Sequence, residues 1–162
     1  MKTRISTLSL IVSTTFSILA ADKLPPEATN ALRFSTNTIL YALEGESFYE
    51  GTNKDAALYR HKILGQTKLG SEQSKAAIMA FESAIAAGDG YVGAHCFNPR
   101  HALRVMAAGQ TYDFLLCYEC GWLSVLHEEK EIVRVGAHGT PEELNKLLTA
   151  AKIPIPKAIG RH

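Results

Sequence analysis

The chain has 162 residues, 46% of them apolar, and a formal net charge of +1. That length suits one domain with a real core, the composition is not that of a disordered chain, and no basic excess points to nucleic acid.

Lys2 and Arg4 precede an apolar run, Ile5 to Leu19, diluted by serine and threonine; Ala20 and Ala21 then lead into Asp22. A basic end, an apolar middle and small residues at a cut are the parts of a secretory signal peptide. It is expected over residues 1–20, with cleavage after Ala20 leaving Ile18 and Ala20 at the −3 and −1 positions. The run is shorter than the ~20 residues a bilayer span needs, so no membrane contact is expected after cleavage. Cleavage would leave 15 of the 17 basic side chains against all 16 acidic ones, a net of −1. All three cysteines survive it. The expected location is periplasmic or extracellular, where disulfides persist.

Residues 21–36 read as a flexible lead-in, with Pro25, Pro26 and a short helix over Glu27 to Arg33. Thr38 to Leu43 (TILYAL) is a compact run of β-formers and predicts a strand. Glu44 to Asp55 reads as a loop by its Gly, Asn and Asp content. Leu58 to Gly65 predicts a second strand, with Tyr59, His61 and Ile63 on one face. From Ser71 the pattern is helical: Ala77, Ile78, Phe81, Ala84 and Ile85 make one apolar stripe, Ser71 suits the cap and Gly88 the stop. Four strands follow as two hairpins, one turning near Gly109 and one at His127 to Lys130. Gly121 between the hairpins marks a bulge or bend. Thr140, Pro141 and Glu143 carry a capping-box pattern, and Leu144, Leu147, Leu148 and Ala151 make the stripe of the last helix.

Consecutive strands favour antiparallel pairing. The expected class is α+β: an antiparallel sheet of five to six strands with two main helices packed on it. One domain is expected over residues 37–156, with a tail over 157–162.

The chemistry concentrates at HCFNPRHALR (His95 to Arg104) and CYEC (Cys117 to Cys120). If the first hairpin turns at Ala108–Gly109, residue 100 faces Cys117, residue 97 faces Cys120, and His101 lies beside Leu116. Cys96, His101, Cys117 and Cys120 then converge. Three readings compete. A disulfide between Cys96 and either Cys117 or Cys120 suits the export signal, and three cysteines leave one over. A bridge within Cys117–Cys120 needs a turn or bulge, because residues i and i+3 of a regular strand face opposite ways. A structural zinc held by Cys96, His101, Cys117 and Cys120 would be a closed tetrahedral site, with His95 as a substitute ligand. In a thiol or redox enzyme the catalytic candidates are Cys96 with His101, activated by Arg100, or the Cys117-x-x-Cys120 pair. The thioredoxin pattern lacks its helix here, and Gly121 stands where haem attachment needs histidine. Arg100 and Arg104 are expected to pair with Asp113 or Glu119 across the hairpin. Trp122 is expected in the core.

These segments resemble a group of small exported bacterial proteins that share a CF-x-P-R-H segment and a later CF-x-C segment. The similarity runs from about Tyr59 to Pro156 and includes an "ILG" strand (Ile63 to Gly65) and the late "KIPIP". Tyr118 stands where that group has phenylalanine. No activity is attached to the group. The resemblance implies that Cys96, Pro99, Arg100, His101, Cys117 and Cys120 belong to one site, and it implies no reaction. The functional expectation is a non-enzymatic binding or accessory module, for a protein or small-molecule ligand, with its Cys/His site stabilised by a disulfide. No cofactor is expected beyond the one structural zinc of the second reading.

Overall fold

The computed structural model describes residues 22–51, 53–88 and 95–157. The expected signal peptide and nearly all of the expected tail lie outside them. Seven strands form one antiparallel sheet in the order β2-β3-β1-β4-β5-β6-β7. They are β1 (Asn37–Phe48), β2 (Ala57–Leu58), β3 (His61–Lys68), β4 (His101–Ala107), β5 (Gln110–Cys117), β6 (Trp122–His127) and β7 (Lys130–Gly136). Three helices accompany them: α1 (Pro26–Arg33), α2 (Ser71–Ala87) and α3 (Glu142–Ala150). Among the described residues no helix is long and apolar enough to cross a membrane.

The α+β class with an antiparallel sheet is as expected, but the strand count is seven. The extra strand comes from splitting the expected Leu58–Gly65 strand. Tyr59 and Arg60 both take positive φ, 47° and 71°, so the chain reverses there and β2 pairs back on β3. The first part of the expected Glu44–Asp55 loop is strand: β1 runs on to Phe48, with register irregularities after Ala42 and Leu43. The β4–β5 hairpin has the expected register, with His101 opposite Leu116 and Ala107 opposite Gln110. Ala108 and Gly109, both at positive φ, make its two-residue turn, and Glu128 and Glu129 do the same between β6 and β7.

Strand alternation divides the buried side chains between two faces. Leu40, Leu103, Val105, Phe114, Leu116, Leu123 and Val125 form the main core with residues of all three helices, including Phe81, Leu144 and Leu148. The opposite face carries a smaller cluster around Tyr41, Leu43, Ala102, Leu115 and Leu126. Trp122 is only half-buried and stands outside the core.

The helix ends correct two details. α2 begins at Ser71, but its cap is Gly70, whose N–H donates to Gln73 Oε1 at 3.1 Å. The capping box expected from Thr140 and Glu143 does not form: α3 starts one residue later, after Pro141, with no side-chain cap bond. Gly88 ends α2 at φ −81°, outside the left-handed region. Its lack of a side chain serves another purpose, since a Cβ there would overlap the Gly136 backbone at the end of β7.

Candidate functional site

Two stretches of chain meet at the open end of the β4–β5 hairpin. The incoming one, Cys96 to Arg100, is clamped between strands. Arg100 N–H donates to the Leu116 carbonyl at 3.2 Å, and the Arg100 carbonyl accepts from Leu43 N–H at 2.9 Å. Gly45 makes room on β1, where a Cβ would stand 2.8 Å from the Asn98 carbonyl oxygen. Pro99 is buried just before the strand, its fixed φ feeding the chain into β4.

The outgoing stretch turns at once after β5. Gly121 N–H donates to the Cys117 carbonyl at 3.0 Å, and Gly121 takes φ 73°. This turn sets the Cα atoms of Cys117 and Cys120 5.3 Å apart, and their sulfurs form a disulfide. The bridge expected from Cys96 to Cys117 or Cys120 is therefore not the one present. The strand-geometry objection to an i, i+3 bridge lapses because β5 ends at Cys117 itself.

Cys96 is left as an exposed thiol. Its Sγ lies 3.5 Å from Cys120 Sγ, so the expected convergence of the three sulfurs holds. Two backbone donors are aimed at the buried pair. Asn98 N–H reaches Cys120 Sγ at 3.3 Å, and Cys120 N–H reaches Cys117 Sγ at 3.1 Å.

His101 opens β4 on the helix-covered face and is 3% exposed. Its Nε2 lies 2.9 Å from Asn145 Oδ1 on α3, which makes Nε2 the protonated nitrogen, and Nδ1 is buried with no hydrogen-bond partner among the described residues. Burial pushes the imidazole down to about 4; the Asn145 bond opposes this and the Arg100 charge adds to it. His101 is therefore neutral at pH 7. The histidine assigned to Cys96 in the thiolate–imidazole reading thus bonds Asn145. Of the four zinc candidates, Cys117 and Cys120 are joined to each other, and His101 Nε2 faces the Asn145 amide oxygen. Among the described residues no group of three or more His, Cys, Asp or Glu side chains is placed to hold a metal.

Between the hairpin end and α3 lies a cleft of about 210 Å³. Asn98, Arg100, His101, Cys117, Tyr118 and Glu119 line it from the hairpin, and Pro141, Asn145 and Pro156 line it from the α3 region. Arg100 Nε and Nη2 each lie 3.4 Å from Glu119 Oε2. Burial, then the nearby Glu142 carboxylate, pushes the Tyr118 phenol up to about 12, so it stays protonated. A larger groove of about 670 Å³ runs between α2 and the start of α3. Alanines and Met79 make up most of its α2 wall, with Glu142, Glu143 and His138 on the other side. The smaller cleft has more convergent chemistry and is the better candidate.

The helix-free face holds a separate polar network. Arg104 makes a two-pronged pair with Asp113 at 2.7 and 2.8 Å, and the Tyr59 hydroxyl donates to Asp113 at 2.6 Å. The cross-hairpin pairs Arg104–Asp113 and Arg100–Glu119 are as expected. Asn145, Tyr118 and Pro156 were not singled out as site residues from the sequence. Nothing in the sequence near Asn145 marks it, because its role depends on where α3 docks. No protein-family model, no curated protein and no solved structure matches this chain.

Proposed function

We propose that this is an exported, non-enzymatic binding module whose ligand seats in the cleft beside Tyr118. The observation that supports it most is convergence. Three separated segments, Asn98–His101, Cys117–Glu119 and Pro141–Pro156, contribute walls to one small cleft. The disulfide holds the outgoing loop in place, and His101 is neutral and bonded to Asn145, which suits a fixed wall better than an acid–base group. The resemblance to small exported proteins and the basic–apolar–small pattern of residues 1–20 support export.

The lining argues for the ligand class. A volume of about 210 Å³ is below the roughly 300–1,000 Å³ of drug-sized sites and suits a molecule of amino-acid size. Arg100 and Glu119 face each other at 3.4 Å, a long contact for an ion pair. A small zwitterion that parts this pair would set its carboxylate on Arg100 and its amine on Glu119, against the apolar sides of Tyr118, Pro141 and Pro156.

The test is an NMR titration of isotope-labelled protein with free amino acids, using acetate and methylammonium as half-molecules. Saturable shifts are expected at Arg100, Tyr118 and Asn145 with amino acids and only faint ones with the half-molecules. Arg100→Ala should weaken binding roughly tenfold or more, the loss of one charge-assisted contact. Absence of saturable shifts at these residues across the panel would remove the reading.

A further inference from the structure

The three sulfurs carry an inference that does not depend on what fills the cleft. Cys117 and Cys120 are each 1% exposed, so their bridge is largely shielded from an outside thiol. Cys96 is exposed, and its Sγ is 3.5 Å from Cys120 Sγ. One sulfur therefore faces solvent on one side and a buried disulfide on the other. From this we infer that Cys96 is the entry thiol of a stoichiometric thiol–disulfide exchange site, with Cys117–Cys120 as its store of oxidising equivalents and a small thiol as its reaction partner.

The steps balance without any further reagent. The Cys96 thiolate attacks Cys120 Sγ; the Cys96–Cys120 bond forms, the Cys117–Cys120 bond breaks, and Cys117 leaves as a thiolate that takes up the proton Cys96 lost. A substrate thiolate then attacks Cys96, forming a mixed disulfide and releasing Cys120 as a thiolate that is protonated in turn. A second substrate thiolate attacks the substrate sulfur of that mixed disulfide, and the small disulfide departs. Cys96 is regenerated, two substrate thiols are oxidised, and Cys117 and Cys120 are both reduced. The small disulfide drives the same sequence backwards.

The surroundings favour the first step. Exchange is faster when the leaving thiolate is stabilised. Cys117 Sγ accepts the Cys120 N–H at 3.1 Å, a hydrogen bond already in place for the departing thiolate. The central sulfur, Cys120, is held by Asn98 N–H at 3.3 Å, within the same short segment that carries Cys96.

The experiment measures reduction of the Cys117–Cys120 bridge by reduced glutathione, with acid quenching, alkylation and mass spectrometry, in wild type and in Cys96→Ser. Cys96 is on the surface, so the variant keeps its fold. Reduction in Cys96→Ser is expected to be roughly tenfold slower or more, because only the buried sulfurs remain to be attacked. In Cys117→Ser, a glutathione buffer rich in the oxidised form should join Cys96 to Cys120 and leave no alkylatable thiol. Equal reduction rates in wild type and Cys96→Ser would overturn the inference. So would a Cys117→Ser protein whose Cys96 and Cys120 both stay alkylatable under that buffer.

Discussion

Replacing Asp113 by alanine is expected to destabilise the fold by about 3 kcal/mol, which for a domain of this size lowers the melting temperature by roughly 10 °C. Asp113 is 1% exposed and accepts three hydrogen bonds, two from Arg104 and one from the Tyr59 hydroxyl. Burial, then the bond to Asp113, pushes the Tyr59 phenol above its ordinary range, so that hydroxyl remains a donor. Removing the carboxylate strands a guanidinium and a phenol against the smaller apolar cluster. The effect sits at the low end for a broken buried pair because the Arg104 side chain is 31% exposed and rests over the Tyr41 ring at 5.6 Å. Water and the ring compensate it in part. A double replacement, Arg104→Met with Asp113→Leu, should recover much of the loss, since apolar groups of similar volume need no partners. Urea unfolding of the three proteins checks both statements. A single variant within 1 kcal/mol of wild type would mean that the pair is solvated.

Acidification is expected to weaken the fold well above the carboxylate range, with His101 as the largest contributor. Its folded value is held down to about 4, mainly by burial, against about 6.5 for an ordinary histidine. Between those values the unfolded chain binds a proton that the folded one does not, so stability falls as pH falls through the window. The slope is about 1.4 kcal/mol per pH unit, or about 3 kcal/mol over the whole window. Above pH 6.5 the group is neutral in both states and contributes no slope. His61, also pushed down by burial, adds in the same direction. His101→Gln should therefore flatten the dependence without abolishing it, and it can still donate to Asn145 Oδ1. Urea unfolding between pH 5 and 6.5 gives the comparison. Superimposable slopes for wild type and His101→Gln would show that His101 is charged or solvated in the folded protein.

How much of this was legible in the sequence depends on how local each feature is. The β4–β5 hairpin has the register that follows from supposing a turn at Ala108–Gly109, and the alternation along Leu103, Val105 and Ala107 sets which face is buried. The same register correctly brought the cysteines together and paired Arg104 with Asp113. Which sulfurs bond was not readable, since the choice turns on where β5 stops. Had the strand run on through Cys120, Cys117 and Cys120 would have pointed apart. The Tyr59–Arg60 turn was hidden because neither residue is the glycine or asparagine that advertises positive φ. The capping pattern at Thr140 and Glu143 misled because it was read without its tertiary context, and α3 begins one residue further on. The partner of His101 was out of reach altogether. Asn145 is 44 residues away in sequence, and only the packing of α3 on the sheet brings it there.

The central claim is that a buried Cys117–Cys120 bridge and a free Cys96 thiol share one site. The most direct test is alkylation of protein purified without reductant, denatured with a chelator present and digested for mass spectrometry. One label per chain is expected, on Cys96, with Cys117 and Cys120 recovered in a single linked peptide. A majority of chains labelled on Cys117, with Cys96 linked to Cys120, or three labels per chain, would contradict the account.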